Sequence, residues 1–146
     1  MIGLIQRVRS AQVDVDGQSI GQINQGILLL LGVQREDTQQ LADKLLHKVI
    51  NYRIFEDDDG KMNQSLLNIG GELLVVSQFT LPADTRKGLR PSFTPAAPPA
   101  LGLELYNYFI EQANTAIESA IQTGEFGADM QVSLINDGPV TFWLEV

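Results

Sequence analysis

Side chains that commonly carry catalysis are scarce in this chain of 146 residues. It has no cysteine and a single histidine, His47, which falls on the polar side of a predicted helix beside Asp43 and Lys44. A Ser-His-Asp arrangement and a zinc site built from histidine or cysteine are therefore not expected. Glycine-rich phosphate loops, the H-E-x-x-H pattern and the calcium-loop spacing are also absent. The sequence predicts neither a metal nor a cofactor.

Two polar segments stand out because each adjoins a strongly apolar strand pattern. One is Ser77-Gln78-Phe79-Thr80, and the other is Asn136-Asp137-Gly138-Pro139. Sites are often built where buried strands end, because rigid backbone holds polar groups there. For the Ser77 and Thr80 hydroxyls, bonding to the local backbone is an equally good explanation. The second segment predicts a hairpin tip, where a proline is unexpected because it cannot donate to a ladder.

Hydrophobic periodicity predicts the elements that position these segments. A mixed order of strands and helices, with no repeat or linker, favours one α+β domain over residues 1–146. We expect a mainly antiparallel, strongly curved, barrel-like sheet with two helices packed outside it. The second helix is expected to face the sheet with Leu105, Phe109, Ala113, Ala116 and Ala120. The strand patterns are LIQRVRSAQVDV, SIGQINQG, ILLLLGV, ELLVVSQFTL, MQVSLI and VTFWLEV, and the helix patterns cover residues 36–52 and about 99–122.

Charge is distributed unevenly along the chain. The formal net charge is −8, which argues against a surface that coats nucleic acid broadly. All ten lysines and arginines lie at or before Arg90, and the densest group is Arg86, Lys87 and Arg90 in TRKGLRP. A solvated loop is the favoured reading of that group on composition alone. No apolar run reaches a membrane span and no signal peptide is apparent, so we expect a cytoplasmic protein without a membrane partner.

Long blocks of the sequence make a family resemblance visible. They are LIQRV, YRIFEDDDGKMN, LVVSQFTLPADTRKGLRPSF and FGADMQVSLINDGPVTFWLEV, which together run nearly end to end. In these blocks the chain resembles the D-aminoacyl-tRNA deacylases of the common bacterial and eukaryotic type. The resemblance implies a homodimeric hydrolase of carboxylic esters. Its substrates would be D-aminoacyl-tRNA and glycyl-tRNA, in a chiral proofreading step that rejects L-aminoacyl-tRNA.

The resemblance also implies roles for particular residues. It makes the Gly138–Pro139 peptide cis and has each subunit lend it to the partner's active site, which Ser77–Thr80 also line. Arg7 resembles the arginine that holds the Gly-Pro element in place across the dimer. Met62, Phe126 and Met130 lie in matching blocks and, with Phe79, are candidates to contact the terminal adenosine, although core packing is the favoured explanation for any one of them taken alone. Arg86, Lys87 and Arg90 are the candidates to contact tRNA.

Hydrolysis without a histidine needs another source of catalysis. Backbone N–H groups around Gln78, Phe79 and Thr80 are the natural donors to an oxyanion. Thr80 could act as a nucleophile, but no base accompanies it in the sequence. We therefore expect the free 2′-hydroxyl of the substrate ribose to orient or activate the attacking water. Two alternatives stay open: an esterase with a threonine or serine nucleophile, and a non-catalytic RNA-binding module.

Overall fold

The computed structural model describes all 146 residues, in eight strands and three helices. None of the helices is long and apolar enough to cross a membrane. The strands are β1 (Ile2–Val15), β2 (Gln18–Ile23), β3 (Gly26–Gly32), β4 (Phe55–Glu56), β5 (Met62–Gln64), β6 (Glu72–Ser77), β7 (Ile121–Thr123) and β8 (Gln131–Glu145). The helices are α1 (Gln39–Asn51), α2 (Leu66–Ile69) and α3 (Pro99–Ala116).

Strand β1 organises the main sheet, whose order is β2-β1-β3-β6-β7 with β8 also paired to β1. The first half of β1 lies between β3 and β8, and its second half lies between β2 and β8. These three pairings are antiparallel, whereas β3–β6 and β6–β7 are parallel. Gly21 of β2 lies against the Thr123 carbonyl of β7, so the sheet curls until it nearly closes. The prediction of an α+β fold with a barrel-like sheet is confirmed.

The two faces of the sheet bury two apolar clusters. The larger one has 23 buried residues and packs the outer face against α1 and α3, whereas the smaller one has seven and fills the inside of the curled sheet. Neighbouring residues of β3 alternate between the clusters, with Leu29 in the larger and Leu28 in the smaller. The apolar run ILLLLGV is therefore a strand buried on both faces, as predicted.

The helices differ from the prediction at two places. Helix α3 ends at Ala116 and not near residue 122, because Ile117 adopts an extended conformation and the following residues pair with β6 as β7. Ala116 and Ala120 are exposed as a result, so their expected inward positions were wrong. A third, four-residue helix, α2, begins after Ser65, whose side chain forms a capping box with Asn68.

The segment around Gly138 is a bulge and not a hairpin tip. Val8 pairs with Asn136 and Gln6 pairs with Thr141, so residues 137–140 face Arg7 alone. Both flanking apolar runs are parts of one strand, because both pair with β1 and the chain never reverses. The predicted hairpin was wrong for that reason. The Asn136 amide closes the bulge by accepting from the Val140 N–H at 2.6 Å and donating to the Thr141 hydroxyl at 2.9 Å.

Arg7 holds this bulge from beneath. Its side chain is 8% exposed; Nε donates to the Asp137 carbonyl at 2.8 Å and Nη1 donates to the Ile54 carbonyl at 2.7 Å. Arg9, on the same strand, approaches the Asp137 carboxylate at 3.4 Å, but its side chain is 75% exposed. One arginine is thus a buried tie between three parts of the chain, and the other is a surface ion pair.

The two arginines form a matched pair for a test of this tie. We expect Arg7→Ala to lower the free energy of unfolding by about 2–4 kcal/mol, because it strands two carbonyls that lie away from bulk water. Arg9→Ala should cost about 0–1 kcal/mol, as exposed ion pairs do. Urea denaturation at one fixed protein concentration measures both values. Equal losses for the two variants would contradict the assignment of Arg7 as the tie.

Candidate functional site

A cavity of about 710 Å³ opens where β3 and β6 end. Its floor includes Leu31 of β3 and Val76 of β6, and its walls come from the segments at residues 93–99 and 126–130 together with the start of α3. Twelve of its twenty lining residues are hydrophobic, so polar groups in it are few and stand out. Cavities of this size and character are typical of small-molecule sites.

The Ser77–Thr80 segment leaves the sheet at the edge of this cavity. Ser77 ends β6, and the Gln78 N–H donates to the Leu31 carbonyl at 2.8 Å, which extends the pairing with β3 by one residue. The chain then turns, with the Ala83 N–H donating to the Thr80 carbonyl at 3.1 Å. Ser77, Gln78 and Phe79 line the cavity, whereas Thr80 does not.

Two backbone donors on this turn have no partner within the protein. The N–H groups of Phe79 and Thr80 make no hydrogen bond to any protein acceptor. The Gln78 N–H, in contrast, donates to the Leu31 carbonyl, so it is not free to bind an oxyanion as predicted from the sequence. The Thr80 hydroxyl accepts from the Gln78 side-chain amide at 2.6 Å, and no basic group accompanies it. Adjacent free N–H groups of this kind suit a developing oxyanion.

Aromatic rings form much of the cavity surface. Phe126 and Met130, both predicted to contact adenosine, line it, and Phe126 packs against Tyr106 with ring centroids 5.8 Å apart. Met62 does not line it and lies on β5. Phe93, which sequence reasoning did not single out, also lines the cavity and pairs with Phe79 at 5.3 Å. An aromatic residue in a proline-rich loop was the only sequence signal for it.

Tyr106 supplies no base to this cavity. Burial raises the pKa of its hydroxyl to about 12, and the hydroxyl donates to the Val75 carbonyl at 2.9 Å. The phenol therefore stays protonated near neutral pH. The charged side chains that line the cavity are Arg35 and Asp129, neither of which sequence reasoning selected.

Arg86, Lys87 and Arg90 lie on a loop whose ends, Asp84 and Ser92, are joined by two backbone hydrogen bonds of 2.8 and 3.0 Å. Arg86 is a bidentate partner of Asp84, with contacts of 2.9 and 2.7 Å. Hydrogen bonding to Arg86 holds the pKa of the Asp84 carboxyl well below its usual range. Lys87 and Arg90 are exposed and have no carboxylate partner. The loop thus offers two free cations and one that is already paired.

Gly138 and Pro139 are exposed on β8 and do not line the cavity of their own chain. The peptide bond between them is cis, and Gly138 has a φ of +142°. Exposed apolar side chains flank them along the strand, namely Leu134, Ile135, Phe142 and Trp143. Strand β8 pairs only with β1, so its other edge is unpaired. Within one chain the two predicted polar segments therefore lie apart.

Comparison with known proteins identifies the family. The model of the D-Tyr-tRNA(Tyr) deacylase family matches residues 4–145. Over all 146 residues of both chains, the sequence is 60% identical to a D-aminoacyl-tRNA deacylase of Pseudomonas putida (strain GB-1) and 62% identical to one of Haemophilus influenzae (strain PittEE).

Solved structures agree on the fold. A protein described as c-Myc DNA Unwinding Element Binding Protein superposes with a TM-score of 0.96 at 42% identity, covering 100% of this chain and 99% of that one. A probable eukaryotic D-amino acid tRNA deacylase gives a TM-score of 0.85 at 16% identity, covering 99% and 98%. The chain belongs to the D-Tyr-tRNA(Tyr) deacylase family, and its activity is that of a D-aminoacyl-tRNA deacylase, a hydrolase of the ester between a D-amino acid and tRNA.

Proposed function

We propose that residues 1–146 form one domain of a cytoplasmic homodimer, in which Gly138–Pro139 of each subunit completes the cavity of the other. The observation that carries this proposal is the separation of the two segments in one chain. The Gly138–Pro139 backbone is held by Arg7 and Asn136 yet does not line its own cavity. The exposed apolar side chains around it would be covered by the partner. The completed site would release free amino acid and tRNA from D-aminoacyl-tRNA and from glycyl-tRNA, without a cofactor.

Chirality would be read by backbone and not by a side-chain pocket. A site that accepts many D-amino acids cannot recognise the amino-acid side chain, which varies, but it can contact the ammonium, the Cα hydrogen and the carbonyl, which all of them share. Gly138 has no Cβ, so its backbone can approach these groups closely. An L-amino acid would direct its side chain into that backbone, whereas glycine has none to direct. Rejection by a steric clash of this kind is general across side chains.

The reaction would use the free N–H groups of Phe79 and Thr80 as the oxyanion donors. Water attacks the ester carbonyl carbon, the carbonyl oxygen becomes an oxyanion between the two donors, and the bond to the ribose oxygen then breaks. The neighbouring ribose hydroxyl orients the water, and the leaving ribose oxygen takes up the proton that the attacking water gives up. The Thr80 hydroxyl already accepts from the Gln78 side-chain amide and has no base beside it, which argues against a role as nucleophile. Phe126 and Met130 would contact the adenine.

The dimer can be tested with two isoleucines on different strands. Ile135 of β8 is 57% exposed beside the bulge, and Ile20 of β2 is 42% exposed on the other side of β1. We expect sedimentation of the unaltered protein to show a dimer at micromolar concentration. Ile135→Glu should give inactive monomers, because it places a charge in the covered apolar surface. Ile20→Glu should remain dimeric and active. A monomeric Ile135→Glu protein with full activity would rule out the composite site.

Contact with tRNA is proposed to run through Arg86, Lys87 and Arg90. Replacing all three with alanine should weaken tRNA binding and reduce the slope of its salt dependence by roughly 0.7–0.9 for each lost phosphate contact. Arg86→Ala alone should matter least, since Asp84 already pairs with that guanidinium. A Lys44→Ala/Arg53→Ala/Lys61→Ala variant removes three exposed cations elsewhere and controls for net charge. Filter binding over a range of salt concentrations measures the slopes, and an unchanged triple variant would show that the loop is merely solvated.

The mechanism predicts an order among three single-turnover rates on D-aminoacyl-tRNA. Gly138→Ala should reduce turnover sharply, because a Cβ there would lie 2.6 Å from Val140 Cγ2 and 3.1 Å from Arg7 Nη2 and would fill the space for the substrate. Thr80→Ala should keep most activity. A substrate held on the 3′ oxygen without its 2′-hydroxyl should lose more than Thr80→Ala does.

A second glycine and two checks of folding serve as controls for these rates. Gly17 also has a positive φ, of +77°, but nothing lies within 4 Å of its added Cβ, so Gly17→Ala should leave turnover intact. Circular dichroism and sedimentation check that the Gly138→Ala protein is folded and dimeric. If Thr80→Ala abolishes hydrolysis while the deoxy substrate is cleaved normally, threonine is the nucleophile. A folded Gly138→Ala dimer with the normal rate would remove the backbone account of chirality.

A further inference from the structure

The main cavity contains one basic side chain, Arg35, that the reaction as described does not use. Arg35 follows β3 on a segment that is fixed by backbone pairing to the loop opposite. Its N–H donates to the Pro95 carbonyl at 3.2 Å, and the Ala97 N–H donates to the Val33 carbonyl at 2.9 Å. Val33, Ala96 and Ala97 line the cavity with it. The base of the side chain is therefore held in the cavity wall.

The guanidinium of Arg35 is free, unlike that of several other arginines. Arg7, Arg9 and Arg86 each have a carboxylate within 4.0 Å, whereas Arg35 has none. Asp129, the one acidic side chain in the cavity lining, does not pair with it. The chain carries a net charge of −8, so its overall field does not favour anions. Arg35 is exposed to solvent, and it is the one cation among the residues that line this mostly apolar cavity.

The substrate has one group that matches this cation. The part of an aminoacyl-tRNA that can enter the cavity consists of the amino acid with its cationic amine, the ribose, the adenine and the phosphate on the ribose 5′ oxygen. Only the phosphate is anionic. Arginine presents a planar set of donors that fits two phosphate oxygens at once.

We propose that Arg35 binds the phosphate that joins the last two nucleotides of the tRNA. The proposal rests on the proposed function, because it requires the terminal adenosine to occupy the cavity. With adenine against Phe126 and Met130 and phosphate on Arg35, the nucleoside is fixed at two points. The ester is thereby placed at the N–H groups of Phe79 and Thr80. Arg35 is a positioning residue that sets the depth of insertion, and the loop between Asp84 and Ser92 contacts phosphates farther along the RNA.

Two small substrates isolate this contact. One is D-tyrosyl-adenosine, and the other is the same ester carrying a 5′-phosphate. For the unaltered protein we expect kcat/KM to be roughly tenfold to a hundredfold higher for the phosphorylated ester, as charge-assisted hydrogen bonds imply. In Arg35→Gln that ratio should fall towards one, with the change in KM and not in kcat. Arg35→Lys should give an intermediate ratio, because it keeps the charge but loses the two-point geometry.

The ratio between substrates separates a phosphate contact from a structural role, since a general loss of activity cancels in it. Arg53→Gln removes another exposed arginine, one outside this cavity, and should leave the ratio unchanged. A ratio in Arg35→Gln equal to that of the unaltered protein would overturn the proposal. Failure of the proposed function has a different signature: D- and L-tyrosyl-adenosine would be cleaved equally, whatever the phosphate does to either rate.

Discussion

The site depends on one buried arginine placed opposite a bulge. Arg7 is a single residue of β1 that faces residues 137–140 of β8, and its guanidinium ties the Asp137 carbonyl to the Ile54 carbonyl. A bulge of this size leaves its extra residues without ladder partners, so other groups must hold their backbone in place. Here two hydrogen bonds take the place of the missing ladder bonds. The Arg7 guanidinium donates to the Asp137 carbonyl, and the Asn136 side chain accepts from the Val140 N–H. The exposed Gly138–Pro139 backbone can therefore keep one shape although neither residue has a side chain that anchors it.

That arrangement is consistent with a reaction carried by backbone groups at both segments. The chain has no cysteine, its one histidine lies on α1 outside the main cavity, and burial keeps the Tyr106 phenol protonated. At the edge of the cavity, the Phe79 and Thr80 N–H groups are free because the chain turns away from β3 just after Gln78. A backbone donor has no rotamers to order and its position is set by the sheet, so it costs little reorganisation during the reaction. The parallel pairing of β3 and β6 therefore fixes the position of the two donors that the proposed reaction requires.

Much of the fold could be predicted from local pattern, and the failures have one physical cause. The doubly buried β3, the helix α1 and the polar end of β6 were found because periodicity and composition report burial directly. The Gly138–Pro139 segment does have an unusual backbone, with a cis peptide bond, but the sequence predicted the wrong shape for it. Asn-Asp-Gly suits a hairpin tip and a bulge equally, and only the partner strand, more than 120 residues away in sequence, decides between them. The end of α3 failed similarly, since the pairing of β7 with β6 overrides the helical spacing of alanines.

Single residues outside motifs were the hardest part of the site to find, and charge pairing explains why. The sequence drew attention to Arg86 because three cations cluster there, but Asp84 already neutralises that guanidinium. Arg35 stands alone in the sequence and is unpaired in a cavity with few other polar groups. Clustering in sequence measures how many charges are near one another, whereas recognition depends on which charges lack a partner and what surrounds them. If the proposed contacts hold, an acidic protein that acts on tRNA relies on a few unpaired cations, one for each phosphate, and needs no broad basic surface.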